Sequence, residues 1–239
     1  MSGHSKWSTI KHHKSIADAK RAANFTKLAR EIQVAARGKG SDPAMNFRLR
    51  LAIDRARAGN MPKDNIERAI ARGAGIGVEN QMDELRYEAY APGGSALIIE
   101  CITDNRNRAA NEVKLVLSKN GGTLASAGSV TYLFNQKGLI RTDLIPFTVR
   151  DEIELALIEA GSEDIFDQDQ ETLITCAITD LSRVSEAAVA NQLHVKSVSI
   201  DWLPKTTVEL DDTNAESLAK IIDALEELDD VSNVYTNAG

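Results

Sequence analysis

Long hydrophobic runs are missing from this chain of 239 residues. No apolar stretch approaches the roughly 20 residues needed to span a bilayer. The opening segment Met1-Ser2-Gly3-His4-Ser5-Lys6-Trp7 has no apolar core of the kind a signal peptide carries. A cytoplasmic protein without a membrane partner is expected. Cysteine is scarce as well: Cys101 and Cys176 each sit inside an apolar stretch, LIIECIT and TLITCAI, and read as buried thiols of a reducing compartment. A zinc site needs four clustered ligands, and no such set surrounds them. Histidine is limited to four residues. His4, His12 and His13 crowd the first segment, but adjacent histidines point apart on a helix and no Cys or carboxylate lies at ligand spacing. His194 stands alone, with no Ser/His/Asp or Cys/His constellation around it. No metal, cofactor, catalytic residue or small-molecule substrate is expected.

Against these absences stands an uneven distribution of charge. Residues 1–80 hold 16 Lys and Arg against 7 Asp and Glu, a balance of +9. Residues 81–239 hold 12 against 28, a balance of −16, so the net charge of −7 hides a basic module. A polyanion responds to locally clustered cations, because each phosphate neutralised releases condensed counterions. A basic front end carried by an acidic body reads as a nucleic-acid-binding domain.

The organisation is that of an α+β multidomain protein with an N-terminal helical bundle. Over Ile16–Arg37, Phe25, Leu28 and Ile32 recur at helical spacing, while Lys20, Lys27, Arg30 and Arg37 fall on roughly the opposite face. A second helix covers about Ala44–Ala58, where Arg48 and Arg55 form one pair and Arg50 and Arg57 another on nearly the opposite face. A third runs from near Pro62 to Gly73, and Gly73-Ala74-Gly75-Ile76-Gly77 follows as a linker. Strands at Leu85–Ala91 and Ser95–Thr103, a helix from about Asn107 to Lys119 and a strand near Ser129–Phe134 come next. From Leu139 to Trp202 the order is βαββαβ, the ferredoxin-like split unit. A tail of strand (Thr206–Leu210), helix (Asn214–Leu228) and strand (Val231–Tyr235) completes the sheet begun at Leu85. Three domains are expected: 1–80, a discontinuous α+β domain of 81–136 plus 204–239, and an inserted ferredoxin-like α+β domain at 137–203.

The phosphate contacts expected first are Lys6, Lys11, Lys14, Lys20, Lys27, Arg30 and Arg37, with Arg48, Arg55 and Lys63 behind them. Trp7 reads as an anchor of its arm onto the bundle. Arg106 and Arg108 open a helix, where they either hold an anion or pair with carboxylates of their own domain. The acidic stretches from Glu163 to Glu171 and from Glu226 to Asp230 read as solvated faces, with a basic protein partner as the second reading and an acidic catalytic cleft as a distant third.

Several phrases carry a family likeness. Gly3-His4-Ser5-Lys6-Trp7-Ser8, Phe25-Thr26-Lys27-Leu28-Ala29-Arg30-Glu31-Ile32, Asn60-Met61-Pro62-Lys63-Asp64-Asn65-Ile66 and Thr103-Asp104-Asn105-Arg106-Asn107-Arg108 resemble the YebC/PmpR family, as do Asn120-Gly121-Gly122 and Gly128-Ser129-Val130. That family includes the mitochondrial translational activator of cytochrome c oxidase subunit I. The resemblance implies a helical bundle followed by two α+β domains, and no enzymatic activity. It also implies a regulator of gene expression: a transcriptional regulator that binds DNA through the basic domain, or alternatively a translation factor that binds ribosomal RNA, including at proline-rich stretches. No recognition helix or aromatic stacking platform in the sequence separates duplex DNA from folded RNA.

Overall fold

The structure, a computed structural model, describes residues 19–75 and 82–239. The chain forms two compact units, one made of residues up to Phe134 together with Pro204–Gly239, the other of Asn135–Leu203.

In the first unit, α1 (Ala19–Lys39), α2 (Phe47–Ala58) and α3 (Lys63–Gly73) share one apolar core. Leu28, Ile32, Ala35 and Ala36 of α1 meet Leu49, Ala52, Ile53 and Ala56 of α2 and Ile66 and Ala69 of α3. Each set lies within one stripe at 3.6-residue periodicity, which is why these segments are helices that pack. The second helix begins at Phe47 and not near Ala44, because Asn46 caps it: its Oδ1 accepts from the Leu49 N–H at 3.1 Å. The same buried amide donates to the carbonyls of Ala35 (2.8 Å) and Gly40 (2.7 Å), tying the α1–α2 loop to α1. Helix α3 approaches α1 so closely that a Cβ on Gly73 would lie 2.3 Å from the Gln33 carbonyl oxygen.

A sheet of order β3-β1-β2-β8 follows in the same unit. Strands β1 (Asp83–Ala91) and β2 (Ser95–Thr103) form a hairpin over Pro92-Gly93-Gly94, where both glycines take positive φ (75° and 79°). Helix α4 (Arg106–Lys119) leads to β3 (Thr123–Ala125), and α7 (Asp212–Glu226) precedes β8 (Val231–Thr236), which pairs with β2. One sheet face, with Leu97 and Ile99, is covered by Val113 and Leu117 of α4 and Leu218, Ile221 and Leu225 of α7. The other face carries Glu84, Arg86 and Glu88 in register with Ile102, Glu100 and Ile98. Strand β2 is buried on both faces, so it reads as a continuous apolar run.

Two expected strands are absent. Between 129 and 134, Thr131–Leu133 is a 3-10 turn, because the backbone N–H groups of Gly128, Val130 and Thr131 all donate to the buried carboxylate of Glu88 and are lost to any ladder. The segment Thr206–Leu210 contributes one isolated bridge, Val208 to Ala238.

The second unit is built on β4 (Phe134–Asp143), α5 (Arg150–Glu159), β5 (Ser162–Gln168), β6 (Glu171–Cys176), α6 (Leu181–Ala190) and β7 (Val195–Pro204). Its sheet order β5-β6-β4-β7 is that of the ferredoxin-like βαββαβ unit. A Cβ on Gly138 would lie 2.8 Å from Leu181 Cδ1, so glycine lets α6 sit close on β4. Among the described residues, no helix is long and apolar enough to cross a membrane.

Candidate nucleic-acid interface

The cations of the helical region divide into two sets by what they touch. The first set turns toward the sheet of its own unit. Lys27 Nζ donates to the Glu226 carbonyl at 2.5 Å, at the C-terminus of α7. That helix has no basic residue in its own last turn, so Lys27 supplies the cation its dipole favours there. Arg30 donates to the Asp229 carbonyl at 2.6 Å and to the Asp230 carboxylate at 2.9 Å. Arg37 donates to the Met82 carbonyl at 3.1 Å. From α2, Arg48 pairs with Glu84, which raises the guanidinium pKa further, and Arg55 bonds Asn233 at 2.9 Å and Glu31 at 3.3 Å. Burial pushes the Glu31 carboxyl up against the opposing pull of Arg55. The face of α1 expected to meet phosphate is therefore occupied by the chain itself, at Lys27, Arg30 and Arg37.

Asp230 is the hub of this clasp. Its side chain is 2% exposed, and it accepts from Arg30, from Arg108 (2.9 Å) and from the Thr103 hydroxyl (2.8 Å). The reading of Glu226 to Asp230 as a solvated acidic face fails at this residue. Nothing local marks it; its partners are more than 100 positions away in the chain. Arg108 also holds Asp104 at 2.7 Å, and Arg106 grips Asp83 at 2.8 Å, which keeps both of these carboxyls below the usual range. Of the two alternatives for Arg106 and Arg108, the structure has carboxylate pairing. A polar cleft of about 490 Å³ beside the clasp is lined by Arg30, Arg108 and five carboxylate residues, including Asp104, Glu112 and Glu227. With both arginines already paired and negative charge in excess, it is not an anion pocket.

The second set lies on α2 and α3. Arg57, Lys63, Arg68 and Arg72 are exposed on α2 and α3, and Arg50 lies over the Phe47 ring with its Cζ 4.9 Å from the centroid. The stripe Ile66, Ala69 and Gly73 faces the core, so Arg68 falls on the opposite side of α3 and Arg72 on its flank. Local contacts on this surface include Lys63 to Glu67 at 3.5 Å, with side chains 86% and 61% exposed, Arg57 to Asp54 at 3.3 Å, and Arg68 donating to Asn65 at 2.7 Å and to the Asp64 carbonyl at 3.1 Å. Exposed pairs at this spacing contribute about 0.3–0.5 kcal/mol and exchange readily for phosphate. Sequence reasoning named Lys63 as a phosphate contact, noted Arg57 only as the partner of Arg50 on one face of the second helix, and passed over Arg68 and Arg72; the signal available was the place of Arg68 opposite the apolar stripe of α3. Lys6, Lys11 and Lys14 lie outside the described residues, as does the side chain of Lys20.

Burial pushes the Cys101 thiol up to about 12 and the Cys176 thiol up to about 11, which leaves both as inert thiols. Among the described residues, no three His, Cys, Asp or Glu side chains group to hold a metal ion.

Comparison with known proteins agrees with this architecture along the whole chain. Residues 5–76 match the N-terminal domain of the TACO1/YebC protein, and residues 82–238 match the TACO1/YebC second and third domains. A probable transcriptional regulatory protein of Treponema pallidum is 50% identical over 238 residues, covering 100% of this chain and 97% of that protein. One of Thermobifida fusca, with the same description, is 46% identical over 241 residues, covering 100% and 96%. The crystal structure of a conserved hypothetical protein from Aquifex aeolicus superposes with a TM-score of 0.87 at 41% identity, covering 98% of this chain and 97% of the other. The chain belongs to the TACO1/YebC family.

Proposed function

We propose that this chain is a non-enzymatic, cytoplasmic regulator of gene expression that binds DNA through the outward surface of α2 and α3. The observation that carries this reading is the partition of the cations. Lys27, Arg30, Arg37, Arg48 and Arg55 hold the helical region on its sheet, while Arg57, Lys63 and Arg68 are exposed and have short-range partners on their own helices, with Arg72 exposed beside them. Phosphate neutralised at such a surface releases counterions, which supplies sequence-independent affinity. The balance of +9 over residues 1–80 supports the reading, and Lys6, Lys11, Lys14 and Lys20 extend the proposed contact set along the N-terminal segment. The clasped cations add to the attractive field without touching phosphate. DNA is favoured over ribosomal RNA because the relatives are described as probable transcriptional regulatory proteins.

Crosslinking the full chain to nucleic acid in cells and sequencing what is attached tests this proposal. Promoter DNA is expected. Recovery of ribosomal RNA would replace transcription by translation as the process regulated, and recovery of neither would overturn the proposal.

A further inference from the structure

Helix α5 is apolar on two opposite sides, and only one of them is covered. Ile153 and Leu157 are buried against the sheet of the second unit. On the far side Leu155 is 60% exposed and Ile158 57% exposed, and Phe147, in the 3-10 turn that leads into the helix, is 93% exposed. At 100° per residue Leu155 and Ile158 lie about 60° apart, with Asp151 between them. Single exposed apolar residues need no explanation, but Leu155 and Ile158 side by side on one helix face, with Phe147 exposed in the turn that leads into it, mark an interaction surface.

The charge around this face specifies the partner. Residues 135–203 contain 13 Asp and Glu against 5 Lys and Arg. All five cations, Lys137, Arg141, Arg150, Arg183 and Lys196, pair with carboxylates inside the unit. Asp151, Glu152 and Glu159 stay exposed on α5, and the last two, seven positions apart, line one edge of the apolar stripe. We propose that this surface docks a basic amphipathic helix of a partner protein, one with an apolar stripe flanked by lysine or arginine. The stretch from Phe147 to Ile158 spans about 17 Å, three turns of a partner helix. Nucleic acid and anionic lipid are repelled by the same carboxylates. Pairing with α5 of a second copy would set like charges face to face.

Binding of two labelled peptides to the full chain tests the proposal. One is a helical Leu/Lys peptide of about 18 residues with its leucines in one stripe; the other has the same composition in scrambled order. The striped peptide is expected to bind about ten-fold more tightly than the scrambled one, and L155S/I158S should remove that preference. E152K/E159K should weaken binding and flatten its salt dependence, whereas L115S, at an exposed leucine of the other unit, should change nothing. Equal binding of the two peptides, or an unchanged preference in L155S/I158S, would overturn the proposal. Sedimentation showing a wild-type dimer that L155S/I158S abolishes would also overturn it, by assigning the face to a second copy.

Discussion

Arg30 and Asp230, 200 positions apart in the chain, are joined by a 2.9 Å ion pair whose carboxylate is 2% exposed. This pair, with Lys27 on the end of α7, converts the polar face of α1 from a solvent surface into the seat of the helical region on the sheet. A buried carboxylate shared by two arginines contributes little net stability against an apolar isostere, but removing it leaves buried charge behind.

Replacing Asp230 with Asn should therefore destabilise the first unit by about 3 kcal/mol, since Arg30 loses its counter-charge while shape is kept. Chemical denaturation measures this. Asp104→Asn, at a more exposed partner of Arg108, should cost under about 1 kcal/mol. Equal effects of the two changes would show that Asp230 is not the hub.

Glu88 provides a pH test. Burial raises its pKa, but the backbone N–H groups of Gly128, Val130 and Thr131 outweigh burial and hold it at about 2, against 4.5 for the free side chain. A depressed carboxyl pKa stabilises the fold above the unfolded value, and that stability is lost as pH falls through the folded value. About 3 kcal/mol is then present at neutral pH and disappears between about pH 4.5 and 2. Stability measured across this window should fall steeply in the wild type. Glu88→Gln should be weaker at pH 7 and flatter below pH 4.5; parallel curves would refute the assignment.

Gly73 separates helix propensity from packing. Ala for Gly inside a helix ordinarily stabilises by up to about 1 kcal/mol. Here the new Cβ would meet the Gln33 carbonyl at 2.3 Å and the Ala36 Cβ at 2.8 Å. Gly73→Ala should lower stability by about 1–3 kcal/mol, as overpacking does. A raised Tm would show that α3 does not pack this closely on α1.

What was legible in the sequence is what depends on short-range periodicity. The spacing of Phe25, Leu28 and Ile32 marked the buried side of α1, and the hairpin around Pro92-Gly93-Gly94 and the βαββαβ order of the second unit were readable from alternation and turn residues. Long-range polar pairing was not legible. Nothing near Glu88 signals that it would collect three N–H groups from a loop some 40 positions on, which removed the strand expected at 129–134. Lys27, Arg30 and Arg37 lie opposite the core of α1, where periodicity puts them, but periodicity cannot tell solvent from a second packed layer, and the sheet takes that place.

The most direct test of the central claim is the salt dependence of duplex DNA binding by the full chain, compared between two variants. R57A/K63A/R68A removes cations of the outward surface, and K27A/R37A removes cations of the clasp. If the outward surface contacts phosphate, the slope of log affinity against log salt should become shallower by about 0.9 per lost contact, up to about 2.7 for the triple change, with stability altered by no more than about 0.5 kcal/mol per site. The clasp variant should keep the wild-type slope and lose stability instead. A wild-type slope in R57A/K63A/R68A together with a reduced one in K27A/R37A would contradict the account.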